Sequence, residues 1–386
     1  MPSLQPFLLR FPQGLHVGAH AANLEETGLH LPSDMLFSAF VDSWRRGGGD
    51  PAAWMRPFLE GEPPFLLTSA FPFAGDVRFF PAPVDLARLM PARRAEDGAT
   101  INKRLKRIRF LSELLFRRLL SGRSMPDFLS DGEGEGDALC TIPLQDGALC
   151  LLPEEIDKLP ETIRMNSQGG RRAPVLLNRQ RVWQQERVPR VAVDRVNSAS
   201  NIFHAGRTRF ANGCGLWFGV QWRDAEMSAA GQGGRSYGTA LQAVVAMLGD
   251  GGIGGERSAG YGAFHAKGGE AFHVAEPRSG QVAWLLNRYL PAAAELSHCL
   301  NDERAAYNLV RVGGWVRSLQ GADRRRRQIH LLAEGSLIAW PSSPAVGKIA
   351  DLRPQETGSS GEISHPVWRC GLAVAAGLRE LREGDE

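Results

Sequence analysis

Apolar and polar positions in the first 120 residues alternate with two periods, that of a strand and that of a helix. Leu36, Phe40 and Trp44 recur every four residues, which predicts a helix over residues 33–44 with Ser33 as its N-cap. The other elements predicted here are strands at residues 7–11, 65–70 and 77–81 and a helix over residues 101–120. This order of elements is typical of a ferredoxin-like α+β unit.

A second group of elements begins near residue 190. Apolar positions in residues 239–248 follow the i, i+3, i+4, i+7 spacing of a buried helix face. Strands are predicted at residues 191–195, 207–210, 215–222 and 261–266, the second and third being joined as a hairpin by Ala-Asn-Gly-Cys. The pattern therefore predicts an α+β protein in two βα-rich halves, residues 1–185 and residues 186–386.

A loop with seven glycines, residues 249–262, lies between the predicted helix and the last of these strands. It satisfies the dinucleotide pattern G-x-G-x-x-G, but in that fold the glycines follow a strand and open a helix, the reverse of the order here. Two interpretations remain: a flexible connector, or a nest of backbone N–H groups that lies against a phosphodiester backbone. Arg257 and Ser258 favour the second, because a guanidinium and a hydroxyl both donate to phosphate.

Composition narrows the protein class. The chain has no run of about 18 apolar residues that would span a bilayer. Its first residues lack the basic start and cleavage site of a secretion signal, so a cytoplasmic location is expected. The five cysteines, at 140, 150, 214, 299 and 370, lie at least ten residues apart, which indicates neither a disulfide framework nor a zinc site. No metal and no cofactor is implied.

The cations are unevenly distributed, although the net charge is only +3. Residues 103–109 hold five cations in seven positions, and Arg324–Arg327 form a second run. Such clusters are the electrostatic footprint of a nucleic-acid-binding surface. The competing interpretation of residues 103–109 is a solvated helix face.

Motifs along almost the whole chain resemble one family. The glycine loop resembles that of the RAMP superfamily of CRISPR proteins. "GLHVG" at 14–18, "LPSDMLFSAFVDSW" at 31–44, "RVAVDRVNSASNIF" at 190–203 and "GLWFGVQW" at 215–222 resemble the fourth subunit of the type III-A Csm interference complex. "PPFLLTSAFPFAGDVRFFPAP" at 63–83, "YNLVRVGGWV" and "HPVWRCGLAVA" extend the resemblance in the same order.

This resemblance implies two tandem ferredoxin-like (RRM-like) RAMP domains with insertions, the second carrying the glycine-rich loop 249–262. It implies a non-catalytic RNA-binding subunit that holds the repeat-derived 5′ handle of crRNA at the base of the complex. The implied partners are the large polymerase-like subunit, an adjacent backbone RAMP subunit and, indirectly, target RNA, with no membrane. Carried onto this sequence, the expected RNA contacts are Gly251, Gly252, Gly254, Gly255, Arg257, Ser258, Gly260, Tyr261, His16, Arg195, Lys103 and Arg107.

Three of these residues have a structural alternative. Tyr261 is either a stacking platform for a base or a core aromatic. His16 either lies near RNA or is a hydrogen-bonded turn histidine, and Arg195 either reaches RNA or pairs locally. Residues 171–189 are a further candidate, as a protruding basic hairpin that inserts Val182 and Trp183 into the guide–target duplex.

Alternative functions follow from the same superfamily. An endoribonuclease that processes pre-crRNA needs a general base, for which His30 is the candidate. The long segment after Gly262 argues against it, since those nucleases carry the loop near the C-terminus. Asp34 is the candidate for metal-dependent cleavage, although a carboxylate at a helix start also interacts well with the helix dipole. The equivalent subunit of a type III-B complex is the third alternative.

Overall fold

The computed structural model describes residues 3–18, 25–90, 98–126, 128, 140–193, 200–229, 234–316, 324–343, 346–354, 363 and 365–380. The α-helices in these ranges are α1 (Ser33–Arg46), α2 (Pro51–Leu59), α3 (Gly98–Leu105), α4 (Glu113–Leu120), α5 (Glu161–Arg164), α6 (Tyr237–Gly251) and α7 (Leu296–Leu300). The strands are β1 (Ser3–Arg10), β2 (Phe65–Leu67), β3 (Phe71–Ala74), β4 (Val77–Pro81), β5 (Phe110–Ser112), β6 (Ile142–Leu144), β7 (Leu149–Leu151), β8 (Trp183–Val193), β9 (Ser200–Phe210), β10 (Cys214–Trp222), β11 (His265–Gly268), β12 (Phe272–His273), β13 (Val282–Leu285), β14 (Leu309–Val312), β15 (Trp315–Val316), β16 (Arg324–Arg325), β17 (Ile329–Leu332), β18 (Leu337–Ala339), β19 (Ile349–Asp351), β20 (Trp368–Cys370) and β21 (Ala375–Gly377). None of the described helices is long and apolar enough to cross a membrane.

The central sheet has the strand order of a ferredoxin-like unit. β1 lies between β10 and β11, and β3 borders β10, which gives the antiparallel order β11-β1-β10-β3. α1 follows β1 and α6 precedes β11, as the two crossover helices of this fold do. The predicted α+β class is confirmed.

The boundary predicted between residues 185 and 186 runs through this sheet. β1 and β3 come from one side of it, and β10 and β11 come from the other. The glycine loop therefore belongs to the unit that begins with β1, because the loop connects α6 to β11. Periodicity identifies strands but not their partners, so the sequence pattern alone does not show that these four strands share one sheet.

Aromatic packing covers both faces of the sheet. On one face Phe218 of β10 stacks on Phe7 with 5.2 Å between ring centroids and lies 5.7 Å from Phe40 of α1. On the other face Phe80 stacks on Phe116 of α4 with 4.1 Å between centroids. Eight of the nine residues of β10 are consequently buried.

The residues after β12 form a smaller sheet, β18-β13-β21, with the ribbons β14–β17, β15–β16 and β19–β20 beside it. The indole N–H of Trp284 donates to the carbonyl of Pro81 at 3.1 Å, and the Asn287 amide donates to the carbonyls of Leu67 and Leu372 at 3.1 and 2.7 Å. These buried bonds attach the C-terminal part to β2 and β4. In the described residues this part does not complete the four-stranded sheet of a second ferredoxin-like unit.

Three local predictions were wrong. Residues 101–120 are not one helix, because Phe110–Ser112 pairs with β4 and β7 and separates α3 from α4. Ser33 is the first residue of α1, and its side chain accepts from the backbone N–H of Arg288 instead of capping the helix. β9 pairs with β8 and not with β10.

A buried ionic cluster joins α1 to the C-terminal part. The Asp34 carboxylate, 2% exposed, lies 3.3 Å from Nη1 of Arg288 and 3.8 Å from Nε of Arg369. Nε of Arg288 lies 3.7 Å from Oε1 of Glu334, which is 3.0 Å from Nε2 of His30. Because a buried charge is stable only beside a partner, these contacts fix the relative positions of the segments that carry them.

The position of Glu334 makes the cluster sensitive to acid. Burial raises the pKa of the Glu334 carboxyl, but the charges on His30 and Arg288 and the hydroxyl of Ser69 lower it by more than burial raises it. The resulting pKa is about 2, against the usual 4.5. A carboxyl with a depressed pKa in the folded state stabilises that state above its ordinary pKa. This contribution is therefore present above pH 4.5 and is lost as the pH falls towards 2.

We expect Glu334→Gln to lower the free energy of unfolding near neutral pH by about 3 kcal/mol, because it leaves the buried Arg288 guanidinium short of counter-charge. The same variant should lose less stability on acidification than the wild type. Urea denaturation followed by tryptophan fluorescence, at neutral and at acid pH, measures both effects. Glu270→Gln, at an exposed position, is the matched control. A Glu334→Gln protein as stable as the wild type would show that the cluster does not hold the two parts together.

Candidate nucleic-acid interface

The glycine loop begins where α6 ends and is held against the segment that follows β1. The N–H of Gly255 donates to the carbonyl of His16 at 2.9 Å, and the N–H of Gly262 donates to the carbonyl of Gly14 at 2.9 Å. Ile253 donates to the carbonyl of Gly262 at 3.0 Å and closes the loop on itself. The loop is therefore a fixed element of the fold and not the flexible connector that one interpretation of the sequence proposed.

Glycine is required at two positions of this contact. Gly254 has φ +92°, and a Cβ there would lie 2.3 Å from the carbonyl oxygen of His16. Gly262 has φ +79°, and a Cβ there would lie 1.9 Å from the carbonyl oxygen of Ile253. Any side chain at either position would meet backbone, in a conformation that L-residues rarely adopt.

Many N–H groups of the predicted nest already donate hydrogen bonds within the protein. The N–H groups of Gly252, Gly255 and Gly260 donate to the carbonyls of Leu248, His16 and Arg257 respectively. Those groups are engaged within the chain. A phosphate at these glycines would gain from close approach to the backbone rather than from these donors.

The outer side of the loop carries exposed donors. Arg257 and Ser258 are exposed at the start of a 3-10 turn, and Gly251 is exposed at the end of α6 with nothing within 4 Å of a Cβ placed there. A small cavity of about 120 Å³ between the loop and α1 is lined by Gly251, Gly254, Arg257 and Arg46. The arrangement offers two guanidinium groups and a hydroxyl beside bare backbone, which suits a phosphodiester.

His16 lies beneath the loop and not on its outer surface. Its side chain is 4% exposed, and Nδ1 lies 2.7 Å from the carbonyl oxygen of Gly206 on β9. A Cβ on Gly255 would approach Cδ2 of His16 to 2.7 Å, so the ring packs directly on the loop. The structure thus favours the hydrogen-bonded turn histidine over a direct contact with RNA.

Tyr261 is a contact inside the protein. Its ring is 5% exposed, and the guanidinium carbons of Arg190 and Arg207 lie 4.8 and 5.7 Å from its centroid. Two cations over a buried ring leave little surface for a base, so the core alternative describes Tyr261 better than the stacking platform does.

Acidic residues complete this contact between the loop and the β8–β9 ribbon. Arg190 Nη1 lies 3.3 Å from the carboxylate of Glu256, and Arg207 Nη2 donates to Glu186 at 2.7 Å. The hydrogen bond to Glu186 raises the pKa of Arg207, which keeps that guanidinium charged. Sequence reasoning missed Arg190, Arg207, Glu186 and Glu256. The signal in the sequence was the period-2 spacing of Glu186, Val188 and Arg190, which places them on one face of a strand, and these three are the half-buried residues of β8.

The remaining predicted contacts do not gather at the loop. Lys103 is exposed on α3, and Arg107 lines a separate cavity with Val175 and Asn178. Arg195 lies outside the described residues.

The predicted protruding hairpin exists, but at different residues. Val182 and Trp183 are 0% and 6% exposed and belong to the core, so they are not an inserted tip. The ribbon is β8–β9, and its outer end exposes Val191, Val193 and Ile202 by 56%, 62% and 67%. Val191 and Ile202 are directly opposed in the pairing, so they form one apolar surface.

The residues of the two nuclease alternatives are engaged in the ionic cluster described above. His30 faces Glu334, and Asp34 faces Arg288 and Arg369. Among the described residues there is no group of three or more His, Cys, Asp and Glu side chains placed to hold a metal ion.

Comparison with known proteins identifies similar chains. Residues 278–378 match the family described as the CRISPR Csm4 C-terminal domain. The chain is 25% identical over 374 residues to the CRISPR system Cms protein Csm4 of Mycobacterium tuberculosis, covering 95% of each chain. It is 24% identical over 327 residues to that of Thermococcus onnurineus, covering 83% of this chain and 82% of the relative.

Solved structures share the fold. A chain of the Csm3-Csm4 subcomplex in the type III-A CRISPR-Cas interference complex matches with a TM-score of 0.61 at 14% identity, covering 97% of this chain and 99% of that chain. A chain of the Csm1-Csm4 cassette in complex with cA4 matches with a TM-score of 0.54 at 18% identity, covering 99% and 100%. The domain match and the similarity to Csm4 proteins over nearly the full length relate this chain to the Csm4 proteins of CRISPR systems, and the solved structures show that it has the same fold.

Proposed function

We propose that this protein is the non-catalytic RNA-binding subunit of a type III-A CRISPR effector and holds the 5′ repeat-derived handle of the crRNA. The observation that carries the proposal is the two-sided glycine loop. Its inner side is fixed to His16 and Gly14, and its outer side presents Arg257 and Ser258 to solvent. A loop so constrained offers its donors in one arrangement, which lowers the entropic cost of binding a strand.

The partners in this proposal are a large polymerase-like subunit and an adjacent backbone subunit. Its support is that proteins of similar fold were solved in a Csm1-Csm4 cassette and in a Csm3-Csm4 subcomplex. Target RNA is contacted indirectly, through its pairing with the guide. The absence of catalysis is supported by His30 and Asp34, whose side chains are engaged in ion pairs rather than facing the glycine loop.

Purification of the tagged full-length chain from its native host tests this proposal directly. We expect small RNAs that share one repeat-derived 5′ end, together with a large polymerase-like protein. Recovery of the protein without RNA, or cleavage of repeat RNA by the purified chain, would refute the proposal. In the second case His30 would become the residue to test.

We expect Arg257→Ala to reduce the affinity of the complex for crRNA about tenfold, because a charge-assisted bond to phosphate is lost. The slope of log affinity against log salt should fall in magnitude by about 0.7, the contribution of one phosphate contact on a single strand. Filter binding over a series of salt concentrations measures both quantities. Arg278→Ala removes an exposed arginine outside the loop and serves as the control. Equal slopes for the two variants would mean that Arg257 makes no phosphate contact.

Two glycine variants separate RNA binding from folding. In Gly251→Ala the added methyl group lies in open space, and alanine favours the helix more than glycine does, so we expect unchanged or slightly higher thermal stability. We expect weaker RNA binding, because the methyl group obstructs close approach of the RNA strand. Gly254→Ala meets the His16 carbonyl and should lower stability as well. Thermal unfolding and RNA binding of both proteins distinguish these outcomes. RNA binding that survives in Gly251→Ala would remove Gly251 from the interface.

The apolar end of the β8–β9 ribbon suits insertion between bases of the guide–target duplex, as apolar side chains do when they unstack a base step. We expect the double variant Val191→Ser, Ile202→Ser to weaken binding of target RNA severalfold while retaining crRNA, since the loop is untouched. Electrophoretic mobility shifts with labelled target RNA measure this. Leu59→Ser, at a similarly exposed apolar position on α2, is the control. Target binding equal to that of the control would refute insertion at this end of the ribbon.

A further inference from the structure

A second concave surface lies on the other side of α1 from the glycine loop. It has a volume of about 770 Å³ and is bounded by the second half of α1, residues 50–52, β15, Arg326 and residues 365–369. Its lining includes Val41, Val316 and Trp368 together with Trp315. We name this surface the Trp315 groove.

Trp315 is exposed, whereas the other tryptophans of the chain are buried or half-buried. Trp54, Trp217 and Trp284 are fully buried, whereas half of Trp315 (50%) is in contact with solvent. The guanidinium carbon of Arg325, the residue opposite Trp315 in the β15–β16 pairing, lies over the indole ring at 5.2 Å from its centroid. An exposed indole beside an arginine is the pairing that stacks bases and neutralises phosphate in single-strand-binding proteins.

The charges around the groove favour an anionic ligand. The carboxylate of Asp42 is already bound by Arg45 at 2.9 Å and by Arg46 at 2.8 Å. Asp50 accepts from the backbone N–H of Ala52 at 2.9 Å as the cap of α2. Both carboxylates that line the groove thus have partners, and the lining also includes the guanidinium of Arg326, which donates to a backbone carbonyl.

Cations continue along the ribbon away from the groove. Arg326 is held in place by a 2.7 Å bond from its Nε to the carbonyl of Gly313, and its side chain lines the groove. Within the part of the chain that the structure describes, neither Arg311 nor Arg325 has a carboxylate within ion-pair distance. Guanidinium groups beside a concave aromatic surface fit a nucleotide better than they fit an apolar protein segment.

The groove adjoins the glycine loop. Asp42 of α1 lines both the Trp315 groove and the small cavity under Gly251 and Arg257. One helix therefore separates the two surfaces, and its own Arg45 and Arg46 lie on the groove side and on the loop side respectively. A strand that passes from the loop to the groove crosses α1 beside Arg45 and Arg46, both of which are paired with Asp42.

We propose that the Trp315 groove binds an unpaired nucleotide of RNA, with its base stacked on Trp315 and its phosphate beside Arg325 and Arg326. The proposal rests on the proposed function in taking RNA as the ligand, and it adds a site in the C-terminal part that combines Trp315 with two arginines of the run at Arg324–Arg327. The occupant is defined by its chemistry: a flat base for the indole and an anionic phosphate for the guanidinium groups.

Photocrosslinking and affinity measurements on the complex purified through the full-length chain test the proposal. The crRNA carries 5-iodouridine, and crosslinked peptides are mapped by mass spectrometry. We expect a crosslink to Trp315, a loss of RNA affinity of about tenfold in Trp315→Ala, and near wild-type affinity in Trp315→Phe, since a phenyl ring still stacks. Leu309→Ala, on the β14–β17 ribbon and 57% exposed, should bind as the wild type does. Because Trp315 is half exposed, we expect its replacement to change the folding stability little. Thermal unfolding of each variant checks that folding is retained.

The outcomes separate this proposal from the proposed function. If Arg257→Ala loses RNA affinity while Trp315→Ala keeps it and no peptide of the groove is crosslinked, the groove proposal is wrong and the proposed function stands. If Trp315→Ala retains RNA but loses a protein subunit, the groove is a protein interface and the proposal is wrong. RNA that crosslinks to neither surface would refute both.

Discussion

The central position of β1 in the sheet is the constraint on which the rest of the structure depends. Its ladders to β10 and β11 bring together three segments that are far apart in the chain. The pairing is tight enough that a Cβ on Gly215 of β10 would lie 2.2 Å from the carbonyl oxygen of Leu9. Since β1 ends where the His16 segment begins and β11 begins where the glycine loop ends, this ladder also decides that the loop and His16 meet. The candidate interface is thus a consequence of strand pairing.

The glycine loop has two sides with different chemistry. The inner side uses its N–H groups and its missing side chains to pack on backbone, whereas the outer side keeps its guanidinium and hydroxyl groups free for a ligand. The β8–β9 ribbon is fixed to the same loop by the Arg190–Glu256 ion pair and by the cations over Tyr261. A conformational change in the ribbon would therefore displace the loop, because these charged and aromatic contacts join the two elements.

Arginine serves opposite purposes in different parts of this protein. Arg369 is buried and Arg288 is largely buried, with 14% of its side chain exposed. They neutralise Asp34 and Glu334, so they hold the C-terminal part on α1. Arg257 and Arg325 are exposed and keep their donors available. In the sequence Arg288 and Arg369 have mainly apolar neighbours, and the run at residues 103–109 is the most conspicuous group of cations. Only burial distinguishes a structural guanidinium from one that can bind an anion, because the cost of desolvation must be met by a partner inside the protein.

Short-range patterns in the sequence determined the α+β class, α1, α6, β4 and the position of the glycine loop, because helix and strand periods depend on residues close together in the chain. Its motifs resemble those of Csm4 proteins, and the comparisons relate the chain to the same proteins. Tertiary structure alone decided which strands pair, that His16 and Tyr261 are internal, and that Arg190, Glu256 and Trp315 lie where they do. These facts depend on contacts between distant segments, such as the bond between His16 and Gly206, 190 residues apart. Local sequence does not encode such pairings, since the packing of the whole chain selects among many strand partners of equal periodicity.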